Sequence, residues 1–534
     1  MKPYLLLICL LTALTAVAQN PEDALRTAWF TQNGTARNMA TGGVMGSLGG
    51  DITANHVNPA GIGFYKTNEL VLSPGFAFNR NKLNYRGTDT SNSKSNFNYG
   101  TSGVIFGSAS TGKGKWTSSA FAISVNELAN YNNHIQFKGF NNFSSFTEQY
   151  LEELTRDRAD TNAALSNYIF GSSLAFRTYL VDTLSGPGGT VAGYQSLVPI
   201  STGVNQMYDA TTRGGYHEIA LGLAGNMEDK LYIGGSLTIP IISYQRDLTY
   251  SETDATSNPN NQFKSFQYTE SFTSHGIGVG AKLGVIYKAQ EFLRLGFAFH
   301  TPQLLSYTDR ISSSITANTE SYAGIKTANS NDLNSGQPGE RKYDLITPWR
   351  AIVSASYVFR EISDTRQQRG FISADLEYVN YRGARFSASA EDKDNTTLTN
   401  YYQLVNDEIK DTYKGNINLR VGGELKFHTI MFRLGGAYYG SPYSDDNLHA
   451  SRVLATGGIG YRDHGIFIDL TYAHTFTKDV QFAYRLNDKP NTFAEQGGSR
   501  GNIAGSITAS YILYATTGKL SIFNSWYSKP AGKL

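Results

Sequence analysis

The connections along this chain are long and short by turns, and that rhythm restricts the fold more than any single motif does. Polar gaps rich in Gly, Asn and Ser fall near residues 86–97, 139–213, 250–265, 317–340, 387–412, 440–450 and 487–499. Between them lie tight turns at Ser110-Thr111-Gly112-Lys113-Gly114, Met227-Glu228-Asp229-Lys230, Lys288-Ala289-Gln290-Glu291, His428-Thr429 and Arg462-Asp463-His464-Gly465, with a connection of intermediate length at 360–369. Outer-membrane barrels have short periplasmic turns and longer outer loops. A soluble sandwich has no reason to sort its connections this way. Seven long gaps imply about fourteen strands, with both chain ends on the periplasmic side.

Inside the segments, residues alternate with a period of two. Ile417, Leu419, Val421, Leu425 and Phe427 oppose Asn418, Arg420, Glu424 and Lys426. Ile372, Leu376 and Tyr378 oppose Ser373, Asp375 and Glu377, and Ile466, Ile468 and Leu470 oppose Phe467 and Asp469. Such a pattern suits a strand between lipid and a polar lumen, although an antiparallel sandwich with one solvated face shares it. The strands are expected near 69–85, 98–109, 115–138, 214–226, 230–249, 266–287, 292–316, 342–360, 370–386, 413–427, 430–439, 451–462, 465–486 and 500–514. Several exceed the ~9–11 residues that cross a bilayer, so the barrel should rise above the membrane on its loop side. Tyr85, Trp116, Tyr287, Tyr307, Trp349, Tyr438 and Tyr461, near strand ends, fit interfacial belts.

Composition agrees. Charged residues are 17% and aromatics 13%, with 54 Gly and 34 Tyr, the profile of a β protein with aromatic girdles. Mean hydropathy of −0.32 excludes a helical-bundle membrane protein but not a barrel, in which only alternate residues face lipid. A net charge of +2 implies no general pull toward nucleic acid. Residues 1–18 read as a Sec signal peptide: Lys2, an apolar run from Leu5 to Val17, and Ala16-Val17-Ala18 before cleavage. The single cysteine, Cys9, lies inside it, so the mature chain is expected to have no disulfide, thiol catalysis or cysteine metal site. Export to the outer membrane of a Gram-negative bacterium follows.

Residues 139–213 read as the largest outer loop, with one or two amphipathic helices over 146–170 and a break near Asp157 to Asp160. Residues 19–68 do not read as barrel. Gly42-Gly43, Gly49-Gly50-Asp51 and Asn55 through Asn58-Pro59-Ala60-Gly61 make a turn-rich piece with few large apolar side chains. It cannot build its own core, so it is expected inside the lumen as a plug, the rival being a periplasmic tail.

Gly34-Thr35-Ala36-Arg37, Gly42-Gly43, Asp51 and Asn58-Pro59-Ala60-Gly61 resemble the N-terminal hatch of the FadL/TodX family of outer-membrane transporters for hydrophobic compounds. Leu293-Arg294-Leu295-Gly296 with His300-Thr301-Pro302, Thr347-Pro348-Trp349-Arg350, and Leu419-Arg420-Val421-Gly422-Gly423-Glu424 with Gly440-Ser441-Pro442-Tyr443 also look like that family. The resemblance implies an all-β fold: a transmembrane antiparallel barrel over 69–514, of about fourteen strands, with the hatch (19–68) in its lumen. It also implies passive uptake of fatty acids or hydrocarbons, hatch or gating roles for Asp51, Asn55, Asn58, Pro59, Ala60 and Gly61, and a third-strand kink opening a lateral path. Asn126, Glu127 and Asn130 interrupt that strand and are candidates for the kink, or for a simple bulge. The tail 515–534 departs from familiar barrels, because no strand ends at the carboxyl terminus.

No enzymatic constellation is apparent. The nine His form no metal-spaced pair; His56, His300 and His474 could meet inside a barrel, but read better as solitary structural residues. Gly186-Pro187-Gly188-Gly189 lacks the strand–loop–helix setting of a phosphate site. No cofactor or metal is expected. The charges Lys282, Arg294, Asp375, Glu377, Arg420, Glu424, Arg433 and Asp469 should face the lumen. They either anchor the hatch around Asp51 and Asn58 or pair with one another to stiffen the wall. Expected partners are outer-membrane lipid, a small hydrophobic ligand and the barrel-assembly machinery, with no nucleic acid, for a monomer. A receptor for haem or for a secretion-system protein is the alternative.

Overall fold

The computed structural model describes residues 21–110, 114–186, 191–256, 258–359, 369–448, 450–516 and 519–524. The expected signal peptide at 1–18, Cys9 within it, turn residues 111–113, Pro187-Gly188-Gly189, the connection at 360–368 and the tail from 525 lie outside the described residues. Antiparallel pairing runs through a closed barrel of 14 strands. They are β1 (Asn68–Leu72 and Pro74–Tyr85), β2 (Thr88–Tyr99 and Ser102–Ala109), β3 (Trp116–Asn130 and Asn133–Asn141), β4 (Val204–Met227), β5 (Leu231–Asp254), β6 (Ser265–Lys288) and β7 (Leu293–His300 and Leu304–Asn318). Then follow β8 (Gly339–Ile346 and Arg350–Phe359), β9 (Gly370–Asn380 and Arg385–Ala388), β10 (Gly415–Phe427), β11 (Ile430–Tyr439), β12 (Ser451–Asp463), β13 (Ile466–Phe482) and β14 (Phe493–Thr516). Closure is explicit: Asn68 faces Tyr511 and Gly75 faces Ala504 across β1 and β14. The first and last strands are thereby joined, so the sheet leaves no terminal edge unpaired in hydrocarbon.

The outward residues locate the membrane. On β6, Ile277, Val279, Leu283, Val285 and Tyr287 are exposed and apolar, whereas Gln267, Thr269, Ser271, Thr273 and His275 above them on the same face are polar. At 3.3 Å per residue and a 40° tilt the apolar run is roughly 25 Å high, the belt of an outer-membrane barrel. The wall continues upward about as far again, with a water-compatible outer face.

That extension corrects several expected boundaries. Residues 88–97, expected as loop, belong to the upper half of β2 (Thr88–Tyr99) behind a turn at Arg86-Gly87. Of its outward side chains Asp89, Ser91, Ser93, Ser95 and Phe97 only the last, at its foot, is apolar, so it has no apolar face to betray it. β4 likewise begins at Val204 and β14 at Phe493, which shortens the largest loop to 142–203. That loop carries three helices (Glu148–Arg156, Thr161–Ser166, Ser172–Arg177) and a hairpin (Val181–Ser185, Val191–Ser196). The first break falls at 157–160. A further helix, Thr396–Thr412, fills the 387–412 gap, and Lys519–Asn524 extends β14 as a short hairpin.

The N-terminal segment lies within the lumen. It comprises α1 (Pro21–Arg26), α2 (Ala36–Ala40), α3 (Ala54–Val57) and a 3-10 turn (Pro59–Phe64). Helix α2 packs on β11 to β14, while α3 and the 3-10 turn pack on β3 to β6. Wall glycines permit this closeness: a Cβ on Gly284 would stand 1.8 Å from Asn58 Oδ1, and one on Gly222 1.9 Å from Asn55 Oδ1.

Candidate functional site: the plugged lumen

The plug is held by the wall's buried charges, but not where the sequence suggested. Asp51 is satisfied inside the hatch, accepting from Thr35 Oγ1 (2.7 Å) and the Thr53 amide (2.9 Å). Asn58 binds backbone only: its amide donates to Gly46 O (2.5 Å) and Val285 O (3.3 Å), and its oxygen accepts from the Ala60 amide (3.1 Å). Pro59, Ala60 and Gly61 form the 3-10 turn that Asn58 caps. The charges meet other hatch groups. Asp375 accepts from the Met45 and Gly46 amides (2.9 and 3.1 Å), Arg294 donates to Leu48 O (2.8 Å), and Lys282 to His56 O (3.0 Å).

The same charges also pair with one another. Arg420 reaches Glu377 (3.2 Å) and Asp375 (3.7 Å), and Arg433 reaches Glu424 (2.6 Å) and Asp469 (2.5 Å). The lumen charges therefore pair with one another and also meet hatch backbone, though not at Asp51 or Asn58. Lys282 and Asp375 make their hatch contacts as ions already neutralised, by Glu218 and Arg420, which is how buried charge is tolerated.

Two residues central to this network escaped sequence reasoning. Glu218 on β4 binds Lys282, His56 Nδ1 (2.8 Å) and Gln303 Nε2 (2.8 Å). Ser124 on β3 meets His56 Nε2 (2.9 Å) and accepts from Asn55 Nδ2 (2.8 Å). The visible signal was a lone acid amid Gly215, Ala220 and Gly222. Ser124, His56 and Glu218 repeat the hydrogen-bond order of a nucleophile triad. The serine, however, belongs to the wall and the histidine to the plug, and all three are buried. None of the cavities described below is lined by Ser124. The arrangement acts as a latch between plug and wall. His300 donates to Val57 O (2.7 Å) and shares a 40 Å³ void with His56, while His474 pairs with Tyr472 elsewhere.

Above the plug the lumen is hollow. A cavity of about 640 Å³ lies between the outer-loop helices and the upper halves of β4 to β6, with Tyr208, Tyr244, Tyr268, Phe146 and Tyr150 in its lining. Arg26 sits 3.6 Å from the Tyr244 ring centre. Glu153 also lines it; burial pushes that carboxyl above its usual range although the Ser172 hydroxyl donates to it. An inner cavity of about 220 Å³ lies deeper and shares Arg26, Trp29 and Arg452 with the first. Beneath the plug, toward the short turns, is a third of about 440 Å³, which shares no lining residue with the inner cavity.

One part of the wall is not a backbone ladder. The lower halves of β2 and β3 pair from Ser102↔Val125 downward. Above that level β2 pairs only with β1, and β3 only with β4. The break begins at a bulge between Glu127 and Ala129. The seam is closed by side chains instead: Asn92 Oδ1 accepts from the Gln136 amide (3.1 Å), Asn81 Nδ2 donates to His134 O (2.8 Å), and Asn96 Nδ2 to Asn130 Oδ1 (3.0 Å). Because inward-facing Asn81 reaches it from β1, the upper part of β3 is tucked behind the β1–β2 hairpin. At the foot of the seam the plug fills in. Asn33 Nδ2 donates to the carbonyls of Tyr99 (2.9 Å) and Glu127 (2.7 Å), and Asn126 Nδ2 donates to Asn33 O (3.0 Å).

No protein-family model matches the chain, and no curated protein is similar to it in sequence. Solved structures do match. A FadL homologue of Pseudomonas aeruginosa aligns over 90% of this chain and 99% of its own, at 12% identity and a TM-score of 0.53. The toluene transporter TodX of Pseudomonas putida aligns over 91% of this chain and 100% of its own, at 12% identity and a TM-score of 0.51. The closed 14-strand barrel with its N-terminal segment enclosed is the fold of the FadL and TodX outer-membrane channels.

Proposed function

We propose that this protein is an outer-membrane channel for passive uptake of small hydrophobic molecules, long-chain fatty acids or hydrocarbons, and that it has no enzymatic activity. The observation that carries the reading is a lumen hollow on both sides of a docked plug, with no lining residue common to the inner and lower cavities. A molecule caught among the outer loops enters the aromatic cavity and passes Trp29 and Arg452 into the inner one. Asn55, Asn58 and the Pro59-Ala60-Gly61 turn hold the hatch that bars straight descent, with Asp51 bracing it from within. Asn126, Glu127 and Asn130 form the kink of β3, where the side-chain seam gives a lateral route. On this reading a Sec signal at 1–18 directs export, the barrel-assembly machinery inserts a monomer, and no cofactor takes part.

The test is uptake. Cells lacking the protein should take up radiolabelled oleate or toluene more slowly than complemented cells, and proteoliposomes containing it should equilibrate the same compounds faster than empty ones. Equal rates in both assays would refute the channel.

A further inference from the structure

The outer face of the barrel changes character where β13, β14 and β1 leave the apolar belt. On β1 the exposed side chains Leu70, Leu72, Phe76 and Phe78 give way to Arg80 and Lys82, and on β13 Tyr472 and Phe476 give way to Lys478. β14 joins the two strands: Ser499 pairs with Arg80 and Phe476, and Gly497 with Lys82 and Lys478. By strand geometry Arg80 and Lys82 start about 7 Å apart along β1, and Lys478 about 10 Å from Lys82 across Gly497. Among the described residues, none of these three side chains has an acid within ion-pair distance. Beside them on the neighbouring strands stand Ser91, Ser93 and Ser451. The acid on this face, Glu495, sits one outward position higher, between Asn84 and Val480. On the far side of the barrel the outward cations Arg310 and Lys342 each hold an acid, Glu340 (2.9 Å) and Glu391 (3.1 Å). Packing does not require the glycine at 497: a Cβ there would meet only Lys82 O, at 3.9 Å. Its bare backbone leaves a trough between the two lysines.

We propose that this trough docks the phosphorylated head of a lipid A molecule in the outer leaflet: Arg80, Lys82 and Lys478 hold its phosphate oxygens while its acyl chains lie on Phe76, Phe78 and Phe476. Height selects the partner. The cations stand where the lipid's head group begins, directly above rings that face its chains. Guanidinium and ammonium groups both bind phosphate, and each basic residue at a membrane surface adds to the attraction for anionic lipid. A dissolved anion has no use for the aromatic shelf below. The site lies on the outside of the wall and does not depend on the channel reading.

The experiment is lipid retention by the detergent-purified full-length protein, read by native mass spectrometry. Phosphorylated lipid A and the same lipid A after enzymatic removal of its phosphates are offered in equal amounts. Wild type is compared with R80Q/K82Q/K478Q, G497L and the control R310Q/K342Q, with heat-modifiable gel mobility to verify folding. Wild type should retain the phosphorylated lipid about tenfold or more over the dephosphorylated one. R80Q/K82Q/K478Q should lose that preference, and R310Q/K342Q should keep it because its cations are already matched. G497L should lower it several-fold with the charge unchanged. Equal retention of the two lipids by wild type, an equal loss in R80Q/K82Q/K478Q and R310Q/K342Q, or wild-type retention by G497L would overturn the site. So would full displacement of the lipid by inorganic phosphate, which marks a site for free anions instead.

Discussion

Around the hatch the lumen is filled, and above Trp29 it is hollow. The same barrel wall encloses both regions. At the hatch, Arg420, Arg433 and Lys282 each meet a carboxylate, and Asp375 and Arg294 also bind hatch backbone. In the upper region, aromatic rings line a cavity of about 640 Å³, and cations such as Arg26 and Arg452 lie on rings. The difference teaches where motion is costly. Undocking the plug breaks a paired network in low dielectric, whereas a guest in the upper lumen exchanges contacts with side chains that already face open space.

The largest effect should come from unpairing a buried ion. Arg420→Ala takes the guanidinium from Asp375 and leaves Glu377 with Arg350 at 3.6 Å, and a broken buried pair costs about 3–5 kcal/mol. Ion leak through planar bilayers should rise sharply, and a quiet channel would contradict a sealing role for this ion network. A bulky residue at a close-approach glycine should act through the same interface. Gly284→Val displaces Asn58 at about 1–3 kcal/mol, so limited proteolysis should cut the hatch faster than in wild type. Asn33→Ala removes two donor bonds at the foot of the seam, each worth about 1 kcal/mol. Cross-linking yield between cysteines placed at Asn96 and Asn130 should drop, with leak nearly unchanged, separating seam from plug. The smallest effect belongs to the outer loop. Because the Glu153 carboxyl titrates above its usual range when folded, its contribution to loop stability is full at acid pH and is lost as pH rises through that elevated value. Amide exchange over 148–177 should be slower at pH 5 than at pH 7, after correction for intrinsic rate; equal protection would remove Glu153 as a cause.

The sequence by itself determined the strands that touch lipid, because hydrocarbon demands an apolar residue at every second position. β10, β11 and the lower part of β6 carry that signature plainly, and their expected bounds differ from the observed ones by only a few residues. It also marked the hatch, through glycines that serve close approach and left-handed turns. Tertiary structure decided the rest. The upper half of β2 shows no alternation because both of its faces are polar, so only its pairing with β1 makes it a strand. The Ser124–His56–Glu218 latch and the Asn33 contact with the seam join residues from 66 to 162 positions apart. Local patterns record which way a side chain faces; which side chain stands across the lumen depends on barrel closure, and no single strand contains that information.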